Sequence, residues 1–142
     1  MKDIHQTVTL PASPSEVYEV LLDEKKHSAF TGAEAKIHRV VGGEFTAYDG
    51  WISGKIIAVA HDKKIVQLWR GNDPAWPKDH FSVVTFHMTS SKVGKKEGTK
   101  LTLAHENVPD ELYDELKVGW KEHYWEKMKE YFKSEKEQMK KV

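Results

Sequence analysis

The last stretch of the chain, residues 110–138, constrains the fold more than any other. It contains no proline and a single glycine, Gly119. Tyr113, Leu116, Trp120, Tyr124, Met128 and Tyr131 recur three or four residues apart, the spacing that lines one side of an α-helix. About 29 residues of helix make a rod about 43 Å long. A globular domain of this chain's length is only about 35–40 Å across, so the helix must cross all of it. Its buried side is aromatic rather than leucine-rich. The partner must therefore be broad and concave, and the remaining residues have to supply it.

A chain of 142 residues suits one domain, spanning 1–142, with room for one sizeable core. Its 22 basic side chains are matched by 22 acidic ones, so bulk electrostatics call for neither a nucleic-acid nor an anionic-membrane partner. Cysteine is absent, which excludes disulfides, thiolate metal sites and cysteine nucleophiles. No apolar run approaches the roughly 18 residues of a membrane span. The start, Met1-Lys2-Asp3-Ile4-His5, lacks the apolar core of a signal peptide, so a cytoplasmic location is expected.

In chain order, Ile4, Val8 and Leu10 alternate with His5, Thr7 and Thr9 and predict a strand with one buried face, Gln6 being the exception on it. Ser13, Pro14 and Glu16 then have the positions of an N-cap, a first helical residue and the reciprocal acceptor of a capping box. The helix that follows buries Val17, Tyr18, Leu21 and Leu22. A second short helix over residues 24–30 ends at Gly32, which suits a left-handed cap. From residue 35 to 106 the period becomes two, with strands near 35–40, 44–48, 51–60, 64–70, 80–90 and 99–106. Gly42-Gly43, Asp49-Gly50, His61-Asp62-Lys63 and the segment 94–98 are the turns. Short joints at regular spacing predict an antiparallel meander. The strand at 80–90 is apolar on both sides, which predicts cover on both faces or a central position. Residues 92–98 read as a solvated hairpin tip. The alternating charges of Lys133, Glu135, Lys136, Glu137, Lys140 and Lys141 read as a solvent-facing helical end.

The irregular segment 71–79 carries two prolines and Trp76. A tryptophan in such a loop is either a plug over the core or part of a recognition surface. On the second reading, Trp76, Pro77, Lys78, Asp79 and His80 present a surface to a partner.

The order strand, two helices, six strands, long C-terminal helix is that of the helix-grip, START-like architecture: α+β, with a curved antiparallel sheet of about seven strands around the last helix. The resemblance is specific in the segments FTAYDGWISG (45–54), IVQLWR (65–70), WPKDHF (76–81) and GTKLTL (98–103), and in Gly119, Trp120 and Tyr124 of the last helix. Together these resemble the activator of heat-shock-protein-90 ATPase family, and among its members the C-terminal domain of the eukaryotic co-chaperone. The resemblance implies a non-enzymatic, stress-related binding protein whose partner is a heat-shock-protein-90-type chaperone. The chain begins directly at its first strand, so the additional N-terminal domain of the eukaryotic co-chaperone is not expected here. The wider superfamily often holds a small apolar ligand between helix and sheet, which implies a carrier or sensor as the alternative. A cyclase-like or isomerase-like enzyme is a remoter one.

The residues themselves carry little catalytic chemistry. The eight histidines make no HxH, HxxxH or HExxH pair, so no metal site is expected; His87 and His105 could meet only if their strands pair in register. There is no Gly-rich phosphate loop and no nucleophile elbow, and nothing implies a cofactor. Glu44 and Asp49 flank a turn and read as cap or solvent contacts. Lys55, Lys63, Lys64, Arg70, Lys92, Lys95, Lys96 and Lys100 are scattered rather than grouped into a nucleic-acid groove. If the bent sheet leaves a void under the helix, its expected lining is Phe45, Tyr48, Trp69, Phe81, His87, Trp120 and Tyr124. Arg70 points away from it by simple alternation, or caps its mouth if the strand twists.

Overall fold

The computed structural model describes residues 1–140, with side chains through Gln138. Lys141 and the side chain of Lys140, assigned above to the charged helical end, lie outside them. Seven strands form one antiparallel sheet: β1 (Lys2–Leu10), β2 (Lys36–Ile37), β3 (Glu44–Ala47), β4 (Ile52–Ala60), β5 (Lys64–Gly71), β6 (Ser82–Val93) and β7 (Lys96–Val108). Their order across the sheet is β1-β7-β6-β5-β4-β3-β2. Strands β2 to β7 run as a meander, and β1 pairs back onto β7 with Gln6 opposite Leu103 and Val8 opposite Leu101.

The capping box at Ser13 is present in full: Glu16 N–H donates to Ser13 Oγ at 3.2 Å, and Ser13 N–H to Glu16 Oε1 at 3.1 Å. It starts α1 (Pro14–Leu22); Asp23 caps α2 (Glu24–Thr31), which ends on Gly32 at φ 76°. The two helices join the sheet's opposite edges, since β1 and β2 are its outermost strands.

The closing segment starts with a 3₁₀ turn (Asp110–Leu112) and continues as α3 (Tyr113–Trp120), a π-helical turn (Lys121–Trp125) and α4 (Glu126–Lys140). It lies in the concave face, burying Leu112, Leu116, Trp120, Tyr124, Met128 and Phe132. These are each four residues apart. In a regular α-helix a line of that spacing drifts about 40° per step. The π turn, where Glu126 N–H reaches back to Lys121 O, adds a residue and returns the line to the sheet. That one-residue phase shift is why Phe132 enters the core, while Tyr131, the expected residue, is only half-buried and packs its ring edge toward Phe30.

Opposite the helix, Val84, Phe86 and Met88 of β6 and Leu101, Leu103 and His105 of β7 point inward. Of the two expectations for β6, a central position is met and cover on both faces is not. It is a central strand with one buried face, and Phe81, next to it, is 41% exposed on the other side. The expected tip at residues 92–98 is also shorter: Val93 pairs with Lys96 and Ser91 with Gly98, so only Gly94 and Lys95 turn.

Candidate functional site

Where the sheet bends away from the straight helix, a cleft of about 380 Å³ remains. Its helix wall is Glu115, Leu116, Gly119, Trp120, His123 and Tyr124; its sheet wall is Tyr48, Trp51, Ile52 and Trp69. The helix residues fall at intervals of one, three and four, the pattern of one flank. Gly119 adds no side chain to that wall: a Cβ there would meet only His123 Cδ2, at 3.8 Å. The π turn widens the helix at His123 and Tyr124, the last helix residues of the cleft wall.

Tyr48 forms the lip. It sits at φ 50° and Asp49 at φ 57°, both in the left-handed region that non-glycine residues seldom occupy. Two sets of bonds hold them there. Tyr48 donates its hydroxyl to His123 O. Asp49 receives Glu34 N–H on Oδ1 at 2.8 Å and donates its own N–H to Glu34 O at 3.0 Å. The β3–β4 hairpin is thereby tied to the π turn across the mouth. Burial pushes the Tyr48 phenol up to about 12.

Beneath the cleft runs a buried hydrogen-bond chain. Trp120 donates its indole N–H to His105 Nδ1 at 3.0 Å, which leaves the proton of the imidazole on Nε2. Nε2–H then donates to Ser82 Oγ at 2.7 Å, and the Ser82 hydroxyl to Trp69 O at 2.8 Å. Every polar atom is used in one direction, so the imidazole is neutral, and desolvation holds its pKa down to about 3. A second buried pair closes the other side. Tyr124 donates to His27 Nε2 at 3.1 Å, while His27 Nδ1–H donates to Leu21 O at 3.2 Å. Desolvation lowers His27 to about 4, the backbone bond opposing it, and burial raises the Tyr124 phenol. These bonds fix the orientation of two rings of the cleft wall, Trp120 and Tyr124. Among the described residues no cluster of His, Asp and Glu could hold a metal ion.

Of the expected lining, Tyr48, Trp69, Trp120 and Tyr124 come together at the cleft. Phe45 is buried but lies instead over Gly54, where an added Cβ would meet its Cε1 at 2.9 Å. Phe81 and His87 are exposed on the convex face, because Ser82, Val84, Phe86 and Met88 take the inward positions of their strand. His87 opposes Thr102 and His105 opposes Val84, so the two histidines lie on opposite faces and do not meet. Arg70 follows alternation and points outward. It stacks on Phe81 at 5.9 Å and donates to Pro77 O and His80 O, both at 3.2 Å.

The irregular loop resolves the choice about Trp76 in favour of the plug. Trp76 is 4% exposed, packs on Trp69 at 5.6 Å and donates to His80 O at 2.7 Å. His80 is itself half-buried, with Nε2 at 2.8 Å from Asn107 O. Neither faces outward as a recognition surface would need, since a large ring gains more from burial than from water. Pro77, Lys78 and Asp79 are exposed. Trp51, Ile52, Glu115, Leu116, Gly119 and His123 were missing from the expected lining. Leu116 is already in the predicted stripe, and Glu115, Gly119 and His123 each precede a stripe residue by one, so extending the stripe by one residue on its N-terminal side finds them.

A long helix held in the hollow of a seven-stranded antiparallel sheet defines the helix-grip class. The model of the family described as "Activator of Hsp90 ATPase homolog 1-like protein" matches residues 11–133, and the chain belongs to that family. The human protein "Activator of 90 kDa heat shock protein ATPase homolog 1" is 31% identical over 124 residues, 87% of this chain and 35% of its own length. The Dictyostelium discoideum homolog is 29% identical over 120 residues, 84% of this chain and 30% of its own. The chain thus spans about a third of the curated relatives it matches. Among solved structures, an HSP90 activator from Plasmodium falciparum superimposes with TM-score 0.77 at 25% identity, covering 86% of this chain and 89% of that one. A Mesorhizobium loti protein reaches TM-score 0.77 at 20% identity, over 94% and 98%, and shows the fold alone. Among the described residues no helix is long and apolar enough to cross a membrane.

Proposed function

We propose that this domain is a non-enzymatic binding partner of a heat-shock-protein-90-type chaperone, raising the chaperone's ATP turnover by binding its hydrolysing state more tightly than its resting one. A partner shifts an equilibrium only by such a difference in affinity. The observation that carries the reading is the 31% identity with the human activator across 87% of this chain. The exposed tip Pro77, Lys78 and Asp79 is the surface we assign to that contact. Arg70 and the buried Trp76 brace it from behind, so its backbone is already ordered before binding. The test is ATP turnover by the chaperone from the same cell, with and without the domain at roughly tens of micromolar. A raised rate, weakened by Lys78→Glu, is expected. Neither binding nor a change in rate removes the reading.

The cleft favours a second reading, a carrier or sensor of a small apolar molecule. Its 380 Å³ lies within the roughly 300–1,000 Å³ of ligand pockets, and three indoles and two phenols wall it. Mass spectrometry of organic extracts from the purified protein tests this. Recovery of a stoichiometric apolar compound that Gly119→Phe excludes supports the reading, and empty extracts from native-source protein sink it.

A further inference from the structure

The nine-residue β1 is an outer edge of the sheet, and its unpaired backbone has a definite direction. Met88, whose side chain is buried, donates its N–H to Lys63 O at 2.8 Å, on the β5 side of β6. Backbone direction alternates with side-chain direction along a strand, so the inward residues of β6 bond to β5 and the outward ones to β7. Carried through the pairs His87–Thr102 and Leu103–Gln6, this places Ile4, Gln6 and Val8 in hydrogen-bonded pairs with β7. The N–H and C=O groups of His5, Thr7 and Thr9 therefore face the open edge. Such an edge is a template for another strand unless charge, proline or a covering element blocks it.

Here two grooves run along it, of about 770 and 530 Å³, with Thr7 on the first, Thr9 on the second and Lys129 shared. The far wall of the first is a helix flank separate from the cleft, including Val118, which is 52% exposed, and Trp125. Trp125 is fixed by its indole bond to Gln6 Oε1 at 2.7 Å, and Gln6 Nε2 donates to Lys117 O at 2.8 Å. The helix is thereby pinned to the inner face of β1 and leaves the edge free. Lys117, Lys121 and Lys129 line the first groove and Lys96, Lys133 and Lys136 extend the second, against Asp114, Glu126 and Glu137. Among the described residues none of these six lysines is in an ion pair.

We propose that an acidic peptide segment docks here in extended form. It adds an eighth strand to the backbone of His5, Thr7 and Thr9 and sets a carboxylate at every second position against the lysines of the helix flank. The surface is distinct from both the cleft and the 77–79 tip, and its test is independent of chaperone turnover and of cleft occupancy.

The probe is a fluorescein-labelled peptide of roughly ten residues alternating glutamate and valine, followed by anisotropy. Saturable binding that weakens with salt is expected. Thr7→Pro removes an edge N–H without touching the β7 ladder, and proline is tolerated on such an edge. It should weaken binding about tenfold while leaving the unfolding midpoint near that of the parent. Lys121→Glu with Lys129→Glu should do the same. A peptide N-methylated at alternate residues should not bind, and it carries the test if Thr7→Pro fails to fold. Equal binding of a lysine–valine peptide, or N-methylation without effect, overturns the proposal. So does a protein dimer that Thr7→Pro dissociates, which gives the edge to a second copy. Binding to phosphatidylserine vesicles lost with the lysines but kept in Thr7→Pro, in the absence of peptide binding, gives the surface to lipid and likewise overturns it.

Discussion

Acidification should unfold this protein over a window set by two buried histidines. An unfolded histidine titrates near about 6.5, while the folded values are about 4 for His27 and about 3 for His105. Between those limits the unfolded chain binds protons that the folded chain refuses, so stability rises with pH. The contribution is complete above the unfolded value and is lost as pH falls toward the folded ones. Each histidine gives a slope of about 1.4 kcal/mol per pH unit. Together they cost about 3 kcal/mol between about pH 6.5 and about pH 5, a large share of the roughly 5–15 kcal/mol that holds a domain folded. The Glu19 carboxylate, lowered chiefly by its hydrogen bond from Arg39, also loses stabilisation on acidification, but only as pH falls through the carboxylate range below that window. Urea titrations followed by tryptophan emission across the window measure the slope. His27→Gln and His105→Gln each keep a donor and an acceptor but do not titrate, so each should halve it and the double variant should flatten it. A parent slope equal to that of the double variant would refute the reasoning.

Other outcomes follow from the same contacts. Trp120→Phe deletes the donor to His105 Nδ1 and should cost about 1–3 kcal/mol, read from the urea midpoint; a loss of less than half that would mean His105 finds another partner. Gly54→Ala drives a Cβ to 1.8 Å from Leu68 O and should cost about 3 kcal/mol or more, so an unchanged melting temperature would contradict the described β4–β5 geometry. Tyr48→Phe cuts the tie between the hairpin and His123 O. It should cost about 1 kcal/mol and speed amide exchange across Lys121–Trp125; exchange as slow as in the parent would show that the tie does not hold the π turn.

Much of the architecture was legible because local chemistry and tertiary packing agreed. Ser13, Pro14 and Glu16 specify their helix start by direct hydrogen bonds, and Gly32 its stop, with no need of a distant partner. The aromatic flank of Trp120 and Tyr124 predicted a concave sheet because such rings must be buried. His105 shared a face with Leu101 and Leu103, yet its partners Ser82 and Trp120 lie 23 and 15 residues away in sequence. Gln6 looked like an exception on a buried face for the same reason: its partners are Lys117 and Trp125.

The sequence by itself determined element order, the helix caps and which helix flank is apolar, since each depends on residues within a few positions of one another. The tertiary structure alone decided the phase. A π turn moved Phe132 inward in place of Tyr131, and β6 put Ser82, Val84, Phe86 and Met88 inside with Phe81 and His87 outside. Both faces of β6 are apolar enough to be buried, so periodicity cannot choose between them. The choice falls to the register with β5 and β7 and to the space beneath Trp120. The same long-range fit opened the cleft and left the edge of β1 bare.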